Sequence, residues 1–296
     1  MRALAVLLTS LILLFIQIES IPSKSFMICG DTQIILIDYH NSTDTKPKVI
    51  WEWDARQAKD LPEDFRTKHF NTVDDCKSVN NGKQILVSSS SGAIAIIEFD
   101  TGRIPFYTAV PNAHSIEILP FNRLVAASSV NDQGNKIMLF DISKPNSKPV
   151  YTDSLESAHG VVWDKKRNSL YTLGYNVSRE YKMPTANQLT LKEHWPIKGI
   201  DGHDLQMVPN GDALFLTEHT GAWLFNLTNY RFQKISNFPD SPDIKSLGQD
   251  ASGQYIYTIP EESYWTFHVH FYNPSRNISF PSMHIYKARW FNITIS

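Results

Sequence analysis

Apolar and polar residues alternate in short runs along most of the chain, with breaks at Gly, Asn, Asp and Pro. Gln84–Ser88, Ala93–Phe99, Arg123–Ala127, Lys136–Phe140, Ser169–Leu173 and Ala213–Thr217 are examples. Period-two alternation bounded by turn residues predicts β-strands with one face buried. Helical periodicity is hard to find beyond the first twenty residues, so the pattern predicts an all-β protein.

The runs recur at a fixed interval. Asp75-Cys76-Lys77-Ser78-Val79 precedes a turn at Asn80-Asn81-Gly82, two strands, and a second turn at Asp100-Thr101-Gly102. Ala113-His114-Ser115-Ile116, Ala158-His159-Gly160-Val161, Gly202-His203-Asp204-Leu205 and Ile244-Lys245-Ser246-Leu247 open similar series. Tyr286-Lys287-Ala288-Arg289-Trp290 opens a sixth that the chain end cuts short. From Lys77 through His114, His159, His203 and Lys245 to Lys287 the spacings are 37, 45, 44, 42 and 42 residues. A four-stranded propeller blade has this length. The strands missing from the sixth unit are supplied by residues 25–29, 33–38 and 48–53. The expectation is a six-bladed β-propeller whose last blade pairs N-terminal strands with the C-terminal strand, which removes two open sheet edges. A β-sandwich pair does not explain the period, and a seventh blade has no residues to build it.

These stretches, together with Cys29-Gly30-Asp31, Ala158–Asp164 and Leu173-Gly174-Tyr175, resemble an uncharacterised family of secreted β-propeller proteins of bacteria and some eukaryotes. That family is catalogued as a domain of unknown function, and the resemblance spans roughly residues 25–292. It implies the fold and brings no activity or site residues.

The first residues change the picture of compartment. Arg2 precedes a largely apolar run from Ala3 to Ile18, closed by Glu19 and Ser20. This predicts a signal peptide over 1–20 and a single propeller domain over 21–296. The alternative for the same run is a membrane anchor. Five Asn-x-Ser/Thr sequons, at Asn41, Asn176, Asn226, Asn277 and Asn292, fit a secreted, extracellular glycoprotein. The formal charge of −2 offers no field for nucleic acid or a membrane surface. Cys29 and Cys76 are too few to frame a fold. The expected fold brings both to one mouth on adjoining blades, where a bridge would clamp the N-terminal segment; free buried thiols are the alternative.

In a propeller the innermost strand of each blade borders the channel. The residues opening the repeats are therefore expected to ring one mouth in the order Lys77, His114, His159, His203, Lys245, Lys287. Three imidazoles on consecutive blades, His114, His159 and His203, are candidates for a divalent metal or for general acid–base catalysis. Lys77, Lys245, Lys287 and Arg289, with Asp204, are candidates for binding an anionic small molecule or carbohydrate. Turns returning to the same mouth add Asp31, Ser88–Ser91, Ser128, Ser129, Tyr175, Glu218, His219, Glu261 and Glu262. Among them Glu218 and Glu261 are candidate acids or bases, and Tyr175 a hydroxyl donor. The structural alternative is that the ring only hydrogen-bonds ordered water and strand ends.

Two function classes follow. One is a secreted binding protein that takes a small or carbohydrate anion at this mouth. The other is a secreted lyase or hydrolase, metal-dependent or not, that uses the three histidines. Asp100-Thr101-Gly102 spells an aspartic-protease triplet but sits in a hairpin turn and has no second copy. Tyr264-Trp265-Thr266 is a single copy of a receptor-propeller motif and lacks its following Asp. Trp163 and Trp290 are expected to pack between blades.

Overall fold

The computed structural model describes residues 21–236, 238, 239 and 241–291. It contains six four-stranded antiparallel sheets, each running from an inner strand at the channel to an outer strand at the rim. The inner strands are Val73–Val79, Ala113–Leu119, Gly160–Asp164, Asp204–Met207, Ser246–Gln249 and Ile285–Trp290, which belong to blades one to six in that order. In blade six, Ile285–Trp290 pairs antiparallel with Ser25–Gly30, and Gln33–Asp38 and Lys48–Asp54 complete the sheet. The expected six-bladed ring closed by both chain ends is thus the observed architecture. The expected signal peptide, residues 1–20, lies outside the described residues.

The hairpins owe their tightness to residues that accept left-handed backbone. Asn80 and Asn81 have φ of 52° and 57°, and Gly82 follows at 77°. Asn pays less than other L-residues for such angles, so this triplet can turn the inner strand of blade one directly into its neighbour.

Apolar faces of neighbouring sheets meet between the blades. Phe26 and Ile28 of blade six pack with Ile256, Val269 and Phe271 of blade five, and Trp290 lies in the same cluster. On its other face blade six gives Met27 and Cys29 to a cluster with Val73, Cys76 and Val87 of blade one. Full burial of such a side chain contributes roughly 1.5–3 kcal/mol. The last blade is therefore held on both sides although its strands come from opposite ends of the chain. Gly30 sits where the N-terminal strand bulges against Ile285–Trp290. A Cβ there would lie 1.9 Å from the His284 carbonyl oxygen, so only glycine lets the two backbones close.

Candidate functional site

The inner strands align blade by blade through their pairing with the second strands. Asp75, Ser115, Gly160, Asp204, Ser246 and Lys287 stand opposite Ser88, Ala127, Leu173, Thr217, Thr258 and Cys29, each the equivalent place in its blade. The residue before each is the mouth residue. The ring is therefore Asp74, His114, His159, His203, Lys245 and Tyr286. All six line one cavity of about 340 Å³.

This corrects the expected ring of three histidines facing three lysines. His114, His159, His203 and Lys245 hold their places, while Lys77 and Lys287 do not. In blades one, two and six the pairing shifts at the mouth residue, at Val73/Asp75, Ala113/Ser115 and Cys29/Gly30. Lys77 follows Asp74 by three residues and Lys287 follows Tyr286 by one, so matching lysine to lysine mixes three levels of the channel. Lys77 lines the opposite mouth with Glu117 and Arg289. Its Nζ donates to the Val161 carbonyl at 2.8 Å and lies 3.8 Å from Glu117.

Lys287 and Arg289 form the channel floor with Asp75 and Asp204. All four are almost wholly buried. Arg289 Nε donates to Asp75 Oδ1 at 3.0 Å, and its two terminal nitrogens bind both oxygens of Asp204. Lys287 Nζ lies 3.3 Å from Asp204 Oδ1 and 3.8 Å from Asp75 Oδ2. The Ser115 hydroxyl donates to Asp75 Oδ2, and the Leu247 N–H adds a second bond to Asp204 Oδ2. Two cations and two anions cancel, as buried charges must. Burial pushes both carboxyls upward, but Arg289 and Lys287 outweigh it and hold Asp75 and Asp204 below the ordinary range. The floor thus uses up Lys287, Arg289 and Asp204, which the sequence offered as ligand-binding groups.

The histidines above the floor are neutral. His114 Nδ1 lies 3.2 Å from the Asn112 carbonyl, and His159 Nδ1 lies 2.9 Å from the Ser157 carbonyl. A carbonyl only accepts, so both rings carry hydrogen on Nδ1 and leave Nε2 as an acceptor. His203 is reversed: its Nε2 is 2.8 Å from Lys245 Nζ and accepts from it. Its Nδ1 is buried with no hydrogen-bond partner among the described residues. Burial, reinforced by nearby cations, pushes His114 down to about 4 and His203 to about 3. Burial and the two flanking imidazoles push His159 well down too. Asp74 moves the other way: burial raises it to about 7, against the N–H of Ser90 that it accepts.

The three imidazoles pack ring against ring, His114 to His159 at 4.2 Å between centroids and His159 to His203 at 6.0 Å. Among the described residues no three His, Cys, Asp or Glu side chains are positioned to hold a metal ion. The structure therefore does not assemble His114, His159 and His203 as a ligand set.

Other expected site residues are engaged elsewhere. Glu218 is buried, and its carboxylate accepts from Thr220 N at 2.7 Å, Thr220 Oγ1 at 2.6 Å and Trp223 Nε1 at 2.7 Å. Those bonds fix its own turn, and it does not line the cavity. Glu261 binds His268 Nδ1 at 2.7 Å and the Phe267 N–H at 2.9 Å. Tyr175 is half-buried away from the cavity wall, while Ser90 and Ser129 do reach it. The expected Cys29–Cys76 bridge is absent: both are free, buried thiols. The Cys29 thiol lies 3.3 Å from the Asp74 carbonyl and 3.4 Å from the Lys287 carbonyl, and burial with the neighbouring Cys76 raises it well above the usual thiol range. Among the sequons, Asn41, Asn176 and Asn277 are exposed and Asn226 is half-buried; Asn292 lies outside the described residues.

The cavity also has walls that the repeat did not reveal. The Glu262–Trp265 hairpin, closed by Trp265 N to Glu262 O at 2.9 Å, brings Tyr264 and Trp265 to it. Trp265 meets Tyr286 edge to face at 5.7 Å. Asn112, Ser157 and Asp201 add polar groups. The signal for Asp74 and Tyr286 was present in the apolar residues two places after each mouth residue: Cys76, Ile116, Val161, Leu205, Leu247 and Ala288. Alignment on them gives mouth spacings of 40, 45, 44, 42 and 41 residues, which removes the short first interval. Nothing in the repeat marked Tyr264 or Trp265, which lie in a loop peculiar to blade five.

A model described as a family of unknown function (DUF6528) matches residues 16–295. No curated protein matches the chain. Among solved structures, the chain is similar to one described as a nidogen/laminin complex, with TM-score 0.63 and 11% identity over 90% of this chain and 98% of that one. It is also similar to the WD40 β-propeller domain of Doa1, with TM-score 0.57 and 11% identity over 79% of this chain and 71% of that one. Identities this low establish shared fold alone.

Proposed function

We propose that this chain, which belongs to a family of unknown function (DUF6528), is a secreted binding protein for a small carbohydrate held at the histidine mouth. The observation that carries this reading is the composition of the cavity wall. In about 340 Å³ it combines the rings of Trp265, Tyr264 and Tyr286 with imidazole, hydroxyl, amide and carboxylate groups. A sugar presents the matching surface, an apolar face edged by hydroxyls that both donate and accept. Pockets of this size and mixture suit a small ligand held by a few directional bonds.

Charge narrows the ligand class. The lining groups that carry formal charge are Lys245, Asp201 and Asp74, and the floor beneath them is balanced. A neutral sugar, or one bearing a single carboxylate opposite Lys245, suits this balance better than a polyanion. The apolar leader over 3–18 and the five sequons support export and glycosylation.

A second reading, a lyase or hydrolase, is favoured by Asp74. A wall carboxyl that titrates near neutrality suits general acid–base work. Calorimetric titration against neutral hexoses, short oligosaccharides and uronates tests the first reading. Saturable binding that weakens roughly tenfold or more in Trp265→Ala and His159→Ala, with melting temperature retained, is expected; losing one good anchor costs this much. No saturable binding across the panel overturns it. Turnover of a bound sugar, lost in Asp74→Asn, replaces it with the second.

A further inference from the structure

We infer that Lys245 is a carbonyl-trapping residue, whose amine condenses with an aldehyde-bearing ligand in the mouth cavity to form an imine. The inference rests on the same cavity admitting a small polar ligand, but its chemistry is independent of carbohydrate recognition.

Lys245 differs in its surroundings from the other lysines of the channel. Lys287 is fixed in the floor by two aspartates, and Lys77 is tied to a carbonyl and Glu117 at the opposite mouth. Lys245 lines the ligand cavity while only 5% exposed. Its direct polar contact there is the Nε2 of His203 at 2.8 Å, a neutral acceptor and not a carboxylate. The groups facing it from neighbouring elements are Asp201 and Asp243, which favour its charged form, and Lys287, which opposes it. The Tyr264 ring lies 5.9 Å from its Nζ. Burial is the largest influence and lowers its proton affinity overall. Low dielectric also resists placing two charges on the Lys245–His203 pair, so the two side chains hold one proton's charge between them. Loss of that proton to solvent leaves Lys245 with a free lone pair inside a cavity.

The chemistry balances without a cofactor. The Lys245 nitrogen adds to the aldehyde carbon, whose oxygen takes up a proton to give a carbinolamine. Loss of water then forms the C=N bond, the two protons that leave nitrogen passing to the oxygen through solvent. The net change is amine plus aldehyde to imine plus water. The open-chain form of a reducing sugar is one such aldehyde, so the residue would hold covalently what the walls select by shape.

The test is reductive trapping. The intact protein is incubated near neutral pH with glycolaldehyde and cyanoborohydride, which reduces an imine to a stable secondary amine, and labelled lysines are mapped by peptide mass spectrometry. A lowered pKa raises the fraction of an amine that is unprotonated near neutral pH, so Lys245 is expected to label faster than exposed Lys59 and Lys148. Lys245→Arg should remove the fast adduct while keeping the cation, with melting temperature retained. Labelling of Lys245 at or below the surface rate in the folded wild-type protein overturns the inference. Fast labelling with no saturable sugar binding would instead uphold it and overturn the carbohydrate reading.

Discussion

Arg289 and Asp204, 85 residues apart in sequence, bind each other side by side at the centre of the channel. The guanidinium of the C-terminal strand meets both oxygens of a carboxylate on blade four, and its Nε reaches Asp75 on blade one. One side chain therefore ties three blades together. It also makes the channel a cup closed at its base, which is why the histidine mouth encloses a cavity.

Removing that guanidinium should cost far more than a surface ion pair. In Arg289→Ala, Asp75 and Asp204 remain buried with Lys287 as the one cation among the described residues in contact with them. The expected loss is about 3–5 kcal/mol of unfolding free energy, measured by urea denaturation. Replacing Arg289 by Met and Asp204 by Leu together should recover part of it, because one uncompensated charge leaves with the pair.

Asp74 should impress its own pH dependence on stability. Its folded value, about 7, lies above the ordinary 3.8 because of burial. The stability it contributes is therefore complete below about 4 and lost as pH rises through about 7. His114 and His203, pushed down to about 4 and about 3, act oppositely and lose their contribution as pH falls below 6.5. Asp74→Asn should thus gain on the wild type between pH 5 and pH 8 by about 3 kcal/mol, read from urea curves at the two pH values.

The two cysteines should behave as buried thiols in protein purified without reductant. A thiol reagent should leave the native protein unmodified and titrate two groups after unfolding, since both side chains are inaccessible and Cys29 resists ionisation. A count of zero after unfolding would mean a bridge.

Glu218 should matter for stability and not for ligand. Its carboxylate satisfies three donors in its own turn, and Glu218→Gln turns one acceptor into a donor among them. Thermal or urea unfolding should show a loss of roughly 1–3 kcal/mol. Sugar affinity and Lys245 trapping should stay at wild-type values, separating it from Trp265→Ala.

The sequence by itself determined the six-bladed ring and its closure. Each blade repeats one pattern of alternating strands and turn residues, and a period counted over five intervals survives an error of a few residues in any one of them. It also placed His114, His159, His203 and Lys245 at one mouth, because those four open their strands alike. Only the tertiary structure decided the rest of the site. A pairing shift of one residue at Asp74, His114 and Tyr286 changes which side chain reaches the mouth, and lysines matched by type led to the wrong level. Whether a charged residue is free or spent depends on partners far away in sequence, as Lys287 and Arg289 are spent on Asp75 and Asp204. Tyr264 and Trp265 reach the cavity through a loop found in one blade, and a repeat records only what the blades share.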